Sequence, residues 1–308
     1  MAAARSSMPP FGPTLLTWFL PGAGHVALGA WRTALVGFLV VQGLYLAGAL
    51  LSGGLAFDFL DLELRGRFAL VLTPEVGNVG ALLAHQMLVP LAAPPNVVPP
   101  VPPPSTVHLG SWLTAASGIL NIVLMAHAHL AARVGASRRV DRLALELVSG
   151  WLVPGAGHVL QGRTRRALVV AVTVVALFAL GTLWAQGTNL SREAHFYYWS
   201  GQALAGLPAF AAEFARGHPP IDALPQLVDV GIYYACLAGL LNGLIAIDLF
   251  AWGESQALGL DPVEDRRQLA HRRRSRKERA KAPDPGASAA RKHLVAPAAP
   301  PSTAARDE

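Results

Sequence analysis

The sequence predicts an all-α integral membrane fold: a duplicated helical bundle of about four transmembrane helices with short interfacial or re-entrant half-helices, arranged as pseudo-two-fold parallel repeats. Three observations carry this prediction. The 308-residue chain is 53% hydrophobic and only 14% charged, where a soluble domain carries about 25% charged residues. Four apolar segments are long enough to cross a bilayer. One phrase, Pro-Gly-Ala-Gly-His, is written at 21–25 and again at 154–158, each time ahead of such a segment.

The elements follow in order. Residues 1–13 read as an N-terminal tail. Residues 14–20 are apolar but too short to span, so they form a half-helix. Pro21 and Gly22 end it, because proline has no N–H to donate and glycine accepts left-handed dihedrals. Arg5, "TLLTWFL" and "VALGA" imitate a signal peptide. Recurrence of the same segment in mid-chain assigns it to the mature fold instead. Spans are predicted at 31–52, 110–132, 164–186 and 226–250, since about 20 residues cross the hydrocarbon core. A second half-helix is expected at 143–153. Interrupted backbone of this kind survives at membrane depth only where protein or water covers it. Stretches 68–93 and 194–215 mix Gly, Pro and polar residues with apolar ones and read as interfacial or partly buried helices. Residues 94–105 are a Pro-rich linker, and 135–146 a cytoplasmic connector. From 255 to 308 hydrophobicity is lost, giving a basic tail with disordered composition.

Repeat 1 (14–134, with its linker) and repeat 2 (147–254) match position by position. Trp18 corresponds to Trp151, Gly29 to Gly162, Arg32 to Arg165, Asn121 to Asn242, and His127 to Asp248. Phe68 matches Phe196 more loosely. Charge sets the orientation. With the N-terminus inside and four spans, all but Arg65, Arg67, Arg192 and Arg216 of the 25 Lys and Arg residues fall on the cytoplasmic side. Each repeat then enters and leaves on one side, as parallel repeats do. Arginine-rich, alanine-rich usage reads as GC-rich bacterial coding, which makes the expected location a bacterial inner membrane with both termini cytoplasmic.

The repeated turn is the first candidate site: Pro21, Gly22, Gly24, His25 and Pro154, Gly155, Gly157, His158. Gly24 and Gly157 are expected at sharp bends or close backbone approaches. The favoured reading is a structural corner whose histidine satisfies a carbonyl or water. The sharper one is an anion or lipid-headgroup site, with Arg32, Arg163, Arg165 and Arg166 near exposed N–H groups. No Lys-Ser/Thr follows and no strand precedes, which argues against a dinucleotide-binding or phosphate loop.

"PGAGHVALGAWRTAL" (21–35) and "PGAGHVLQGRTRRAL" (154–168) resemble the Gly-rich helix–turn–helix of the two-transmembrane-helix domain superfamily. They are closer still to an uncharacterised bacterial multi-pass family with a PG-x-GH-x-x-x-G-R pattern. "FYYWSGQALAGLPA" (196–209) resembles that family's middle segment, and the resemblance covers nearly all of 14–254. The chain departs from the pattern near Ala27 and Leu160, where tyrosine is common, and at Ala30, where the second copy has Arg163. The resemblance implies a membrane location and no established activity, so it supplies no catalytic residue.

Among intramembrane polar residues, Asn121 and Asn242 flanked by Ser117, Gly118 and Gly239 read as helix-to-helix hydrogen bonding, with a transport path as the alternative. His127 and Asp248 are interfacial or pair across the pseudo-axis. His127 and His129 point about 200° apart and do not chelate one ion. Glu75, His85, His195, Glu213 and His218 lie in the outer segments, with no predicted contact among them. Cys236 is the only cysteine, which excludes an internal disulfide and a cysteine-based metal site. No Ser-His-Asp, HExxH or paired-carboxylate pattern stands out. No catalytic residue, metal or cofactor is therefore expected. The expected partners are the bilayer, anionic headgroups held by the basic block 266–281, and an unidentified protein, with no nucleic acid. The predicted role is structural or partner-binding. A transporter or lipid-handling protein is the alternative, and a membrane enzyme the second.

Overall fold

Residues 9–57, 71–92, 103–135, 137–219, 221 and 225–260 are described by a computed structural model. Helix α1 (Phe11–Phe19) is a half-helix, closed where Gly22 turns to a φ of 84°. The single turn α2 (Ala23–Ala27) and the 21-residue α3 (Trp31–Leu51) follow. A 3-10 turn (Pro74–Asn78) leads into α4 (Val79–Ala92), and α5 (Val107–Val134) returns antiparallel to α3. The second half runs in a similar order. Helix α6 (Arg138–Leu152) closes at Gly155, φ 90°, ahead of the single turn α7 (Ala156–Leu160). Then come α8 (Thr164–Trp184), a 3-10 turn (Thr188–Leu190), α9 (Phe196–Ala203), α10 (Leu207–Arg216) and α11 (Val228–Ala257). All described secondary structure is helical.

Helices α3, α5, α8 and α11 are each long and apolar enough to cross a membrane. Their outward faces are apolar: Leu35, Val36, Leu39 and Leu46 on α3, and Leu168, Val169, Val172 and Leu183 on α8, are exposed. Water would penalise such a surface, whereas lipid accepts it. Helices α3 and α5 meet through glycines, for a Cβ on Gly48 would lie 2.6 Å from the Gly110 carbonyl oxygen. On α8 and α11, a Cβ on Gly181 would lie 2.6 Å from the Gly231 oxygen. Small residues at both crossings let the backbones approach closely, which drives packing where lipid removes the hydrophobic term.

The half-helices are pinned by single side chains. Asn121 Nδ2 donates to the carbonyls of Thr17 (2.9 Å) and Gly77 (2.8 Å). Asn242 Nδ2 donates to those of Leu204 (2.9 Å), Gly150 (3.3 Å) and Trp151 (3.4 Å). Trp18 Nε1 donates to Val76 O at 2.7 Å, and Trp151 Nε1 to Ala203 O at 3.1 Å. The last carbonyls of a helix lack intrahelical partners, and these bonds supply several of them away from water.

Some boundaries differ from expectation. Residues 138–146, read as a connector, are the first turns of α6, held by Val140, Leu143 and Leu147 packing on Leu130 and Leu249. An apolar-run criterion misses them because arginines interleave with the buried stripe. The first half-helix begins at Phe11, inside the expected tail, and α11 runs to Ala257. The expected linker at 94–105 and the tail from 261 onward lie largely outside the described residues, as do residues 1–8 and Phe68.

Candidate functional site

Two polar regions stand out, one at each end of the four long helices. The first holds the repeated turns. Gly22 and Gly155 carry the left-handed φ, and α2 and α7 then fold back onto the half-helices. Gly24 and Gly157 are helical, not left-handed. A Cβ on either would strike a backbone carbonyl oxygen, that of Pro13 or Glu146. Their role is therefore close approach.

The histidines of the turns do not cap carbonyls. Fully buried His25 places Nε2 2.8 Å from His127 Nδ1, and His127 Nε2 lies 3.0 Å from Asp141 Oδ1. Burial, and then the neighbouring His127, push His25 down to a pKa of about 4. Buried His158 places Nε2 3.4 Å from Asp248 Oδ2, which also pairs with Arg163 and, at 3.3 Å, with Arg166. Burial lowers the His158 pKa, with the Arg163 charge acting in the same direction against Asp248. The carbonyl reading failed because the facing positions on the last span of each half, His127 and Asp248, offer side chains. Those two residues serve separate halves and do not pair with each other.

The second turn is more ionic than the first. Arg163 lies 4.4 Å over the Trp252 ring and donates to Gln161 Oε1 at 2.9 Å. Gln161 in turn donates to Glu146 Oε2 at 2.9 Å and Leu249 O at 3.0 Å. Arg163 and Arg166 thus have an internal carboxylate to neutralise, while Arg32 and Arg165 are exposed.

The opposite end gathers residues that sequence spacing did not connect. Glu75 and Arg192 form an ion pair at 2.9 Å with side chains no more than 1% exposed. Thr114 donates to Glu75 Oε1 at 2.8 Å, and Arg192 donates to Ser111 O at 3.2 Å. The Arg192 guanidinium sits 4.5 Å over Trp199 and 4.9 Å over Phe196. A buried pair offsets desolvation only with such added partners. Beside it, Glu213 Oε2 accepts from Trp112 Nε1 (2.9 Å) and Trp199 Nε1 (2.6 Å). Its Oε1 lies 3.1 Å from His218 Nε2 and 4.0 Å from His108 Nδ1. The His108 and His218 rings stack 3.4 Å apart at 5°. A cavity of about 430 Å³, walled in part by His108, Ser191, Arg216 and His218, adjoins them. Trp112 and Arg192 carry no motif, and Trp199 lies in the 196–209 segment, whose family resemblance assigns it no role. The only signal open to sequence was a set of charged residues in segments otherwise apolar enough for membrane contact.

A comparison with curated proteins and one with solved structures each found no match. A family model described as a family of unknown function matches residues 13–140 and 145–262. That match takes in all four long helices and most of both half-helices and both polar ends, leaving out 141–144, and the chain belongs to that family, DUF6677.

Proposed function

We propose that this protein is a tandemly duplicated structural or partner-binding scaffold of the bacterial inner membrane. Both Pro-Gly-x-Gly-His turns and both termini face the cytoplasm, and the basic tail holds anionic headgroups. The observation that carries the scaffold reading is what Asn121 and Asn242 do. Both are buried, and their amide donors are used on carbonyls of the packed half-helices and of the segments beside them. Amides committed to backbone carbonyls in this way favour a scaffold over a solute path, although Asn242 also borders an apolar cavity. Duplication draws support from paired contacts: Trp18 with Val76 and Trp151 with Ala203, Asn121 with Gly77 and Asn242 with Leu204, His25 with His127 and His158 with Asp248.

Cross-linking in native membranes, followed by identification of what co-purifies, tests this role. A stoichiometric protein partner retained through purification is expected. A protein that purifies alone and moves a solute in proteoliposomes would refute it. Lipid handling is the second reading, favoured by an apolar cavity of about 400 Å³ walled by Ile119, Val123, Trp151, Ile247 and Phe250. Photoactivatable lipid labelling Ile247 above the level of lipid-facing Leu168 would support it.

A further inference from the structure

The geometry points to a divalent transition-metal site formed by His108, Glu213 and His218, of the class that zinc occupies. One donor atom from each residue lies within 4.8 Å of the other two. A tetrahedral zinc with bonds of about 2.1 Å separates its ligand atoms by about 3.4 Å. The observed 3.1 Å and 4.0 Å from Glu213 Oε1 to the two imidazoles bracket that spacing. The two rings stack in parallel, so the partly exposed His218 ring must rotate before both in-plane lone pairs meet one ion. Two imidazoles and one carboxylate suit zinc or a neighbouring first-row ion, whereas calcium and magnesium prefer all-oxygen sets.

The surroundings resemble the support of a ligand. Glu213 is buried, and both indole N–H groups go to Oε2, which orients the carboxylate and turns Oε1 toward the imidazoles. Hydrogen-bonded outer partners of this kind fix ligand geometry around bound metals. The nearest buried cation, Arg192, already has Glu75 as its partner, so it does not cancel the Glu213 charge. Arg216 on the cavity wall opposes a cation, and the Glu213 carboxylate offsets it. The adjoining cavity gives an entry route and room for water as a fourth ligand. The ligands come from the start of α5, from α10, and from His218 just beyond Gly217, where the chain turns at φ 70°. A bound ion would therefore tie the two halves together.

The test uses the full-length protein in detergent, stripped with a chelator and titrated with cobalt(II) and then zinc(II). Visible absorption and calorimetry are the readouts. One cobalt with tetrahedral absorption, displaced by zinc, is expected. His218→Ala should lose that absorption and weaken zinc binding by more than tenfold. Trp112→Phe, which removes one support of the carboxylate, should weaken binding by about tenfold. Histidines elsewhere contribute equally to wild type and variants. If His218→Ala fails to fold, His218→Asn supplies the comparison. Equal binding by wild type and variant, or none by wild type, overturns the site and leaves Glu213–His218 an ordinary ion pair.

Discussion

At the scale of the residue, His25 makes the pH response of the fold predictable. Its pKa falls from the ordinary 6.5 to about 4 in the folded protein, whereas the unfolded chain takes up its proton near the ordinary value. Between those limits the unfolded state binds more protons. Stability should therefore be full above about pH 6.5, decline as pH falls, and lose at most about 3 kcal/mol from this group by pH 4. Melting temperature in detergent across that range should fall more steeply for wild type than for His25→Asn. Glycine and histidine of the turn can also be compared. Gly157→Val drives a side chain into the Glu146 carbonyl and toward Leu249. Overpacking costs about 1–3 kcal/mol, and in a half-helix it also strips backbone of its cover. His158→Ala loses one partner of an Asp248 that keeps two arginines. Membrane yield should collapse for Gly157→Val and fall only slightly for His158→Ala. The reverse order would assign the turn to ligand binding.

At the scale of the element, each half-helix depends on a neighbour's side chain more than on its own caps. Helix α1 has nine residues, below the length at which isolated helices hold together in water. Asn242→Leu removes donors from three carbonyls at the end of α6 and beyond α9. A buried group left unsatisfied costs about 1–3 kcal/mol. Melting temperature should fall clearly, and limited proteolysis should cut near Val153 first. An unchanged melting temperature would show that these carbonyls find other donors. The four long helices and both Pro-Gly stops were legible in the sequence, because run length and proline chemistry are local. The start of α6 was not. Its stripe of Val140, Leu143 and Leu147 alternates with Arg139 and Arg142, and only the packing of Leu130 and Leu249 shows which face counts.

At the scale of the whole molecule, orientation is open to direct measurement. On a Cys236→Ser background, Arg165→Cys and Glu193→Cys place thiols at exposed positions at opposite ends of the bundle. A membrane-impermeant reagent applied to intact cells should label Glu193→Cys and spare Arg165→Cys, and the opposite pattern would invert the proposed topology. Likewise, in an electron cryomicroscopy map of the purified protein residues 14–134 should superpose on 147–254, with His25 on His158 and Asn121 on Asn242. A different helix order would end the duplication proposal. Sequence comparison of the halves brought out the turn residues because they recur. The opposite end stayed hidden, because Trp112 and Glu213, or Glu75 and Arg192, meet across more than a hundred residues with no periodic signature. Those same cross-links have a consequence for the chain's independence. Glu75 comes from the first half and Arg192 from the second, and each is the other's buried counter-charge. A half expressed alone would strand an ion in apolar surroundings, so neither half is a self-sufficient protein. Cut between residues 135 and 138, the two pieces should each be degraded when made singly and should recover one another when made together, like the two parts of a lock that was once a pair of latches.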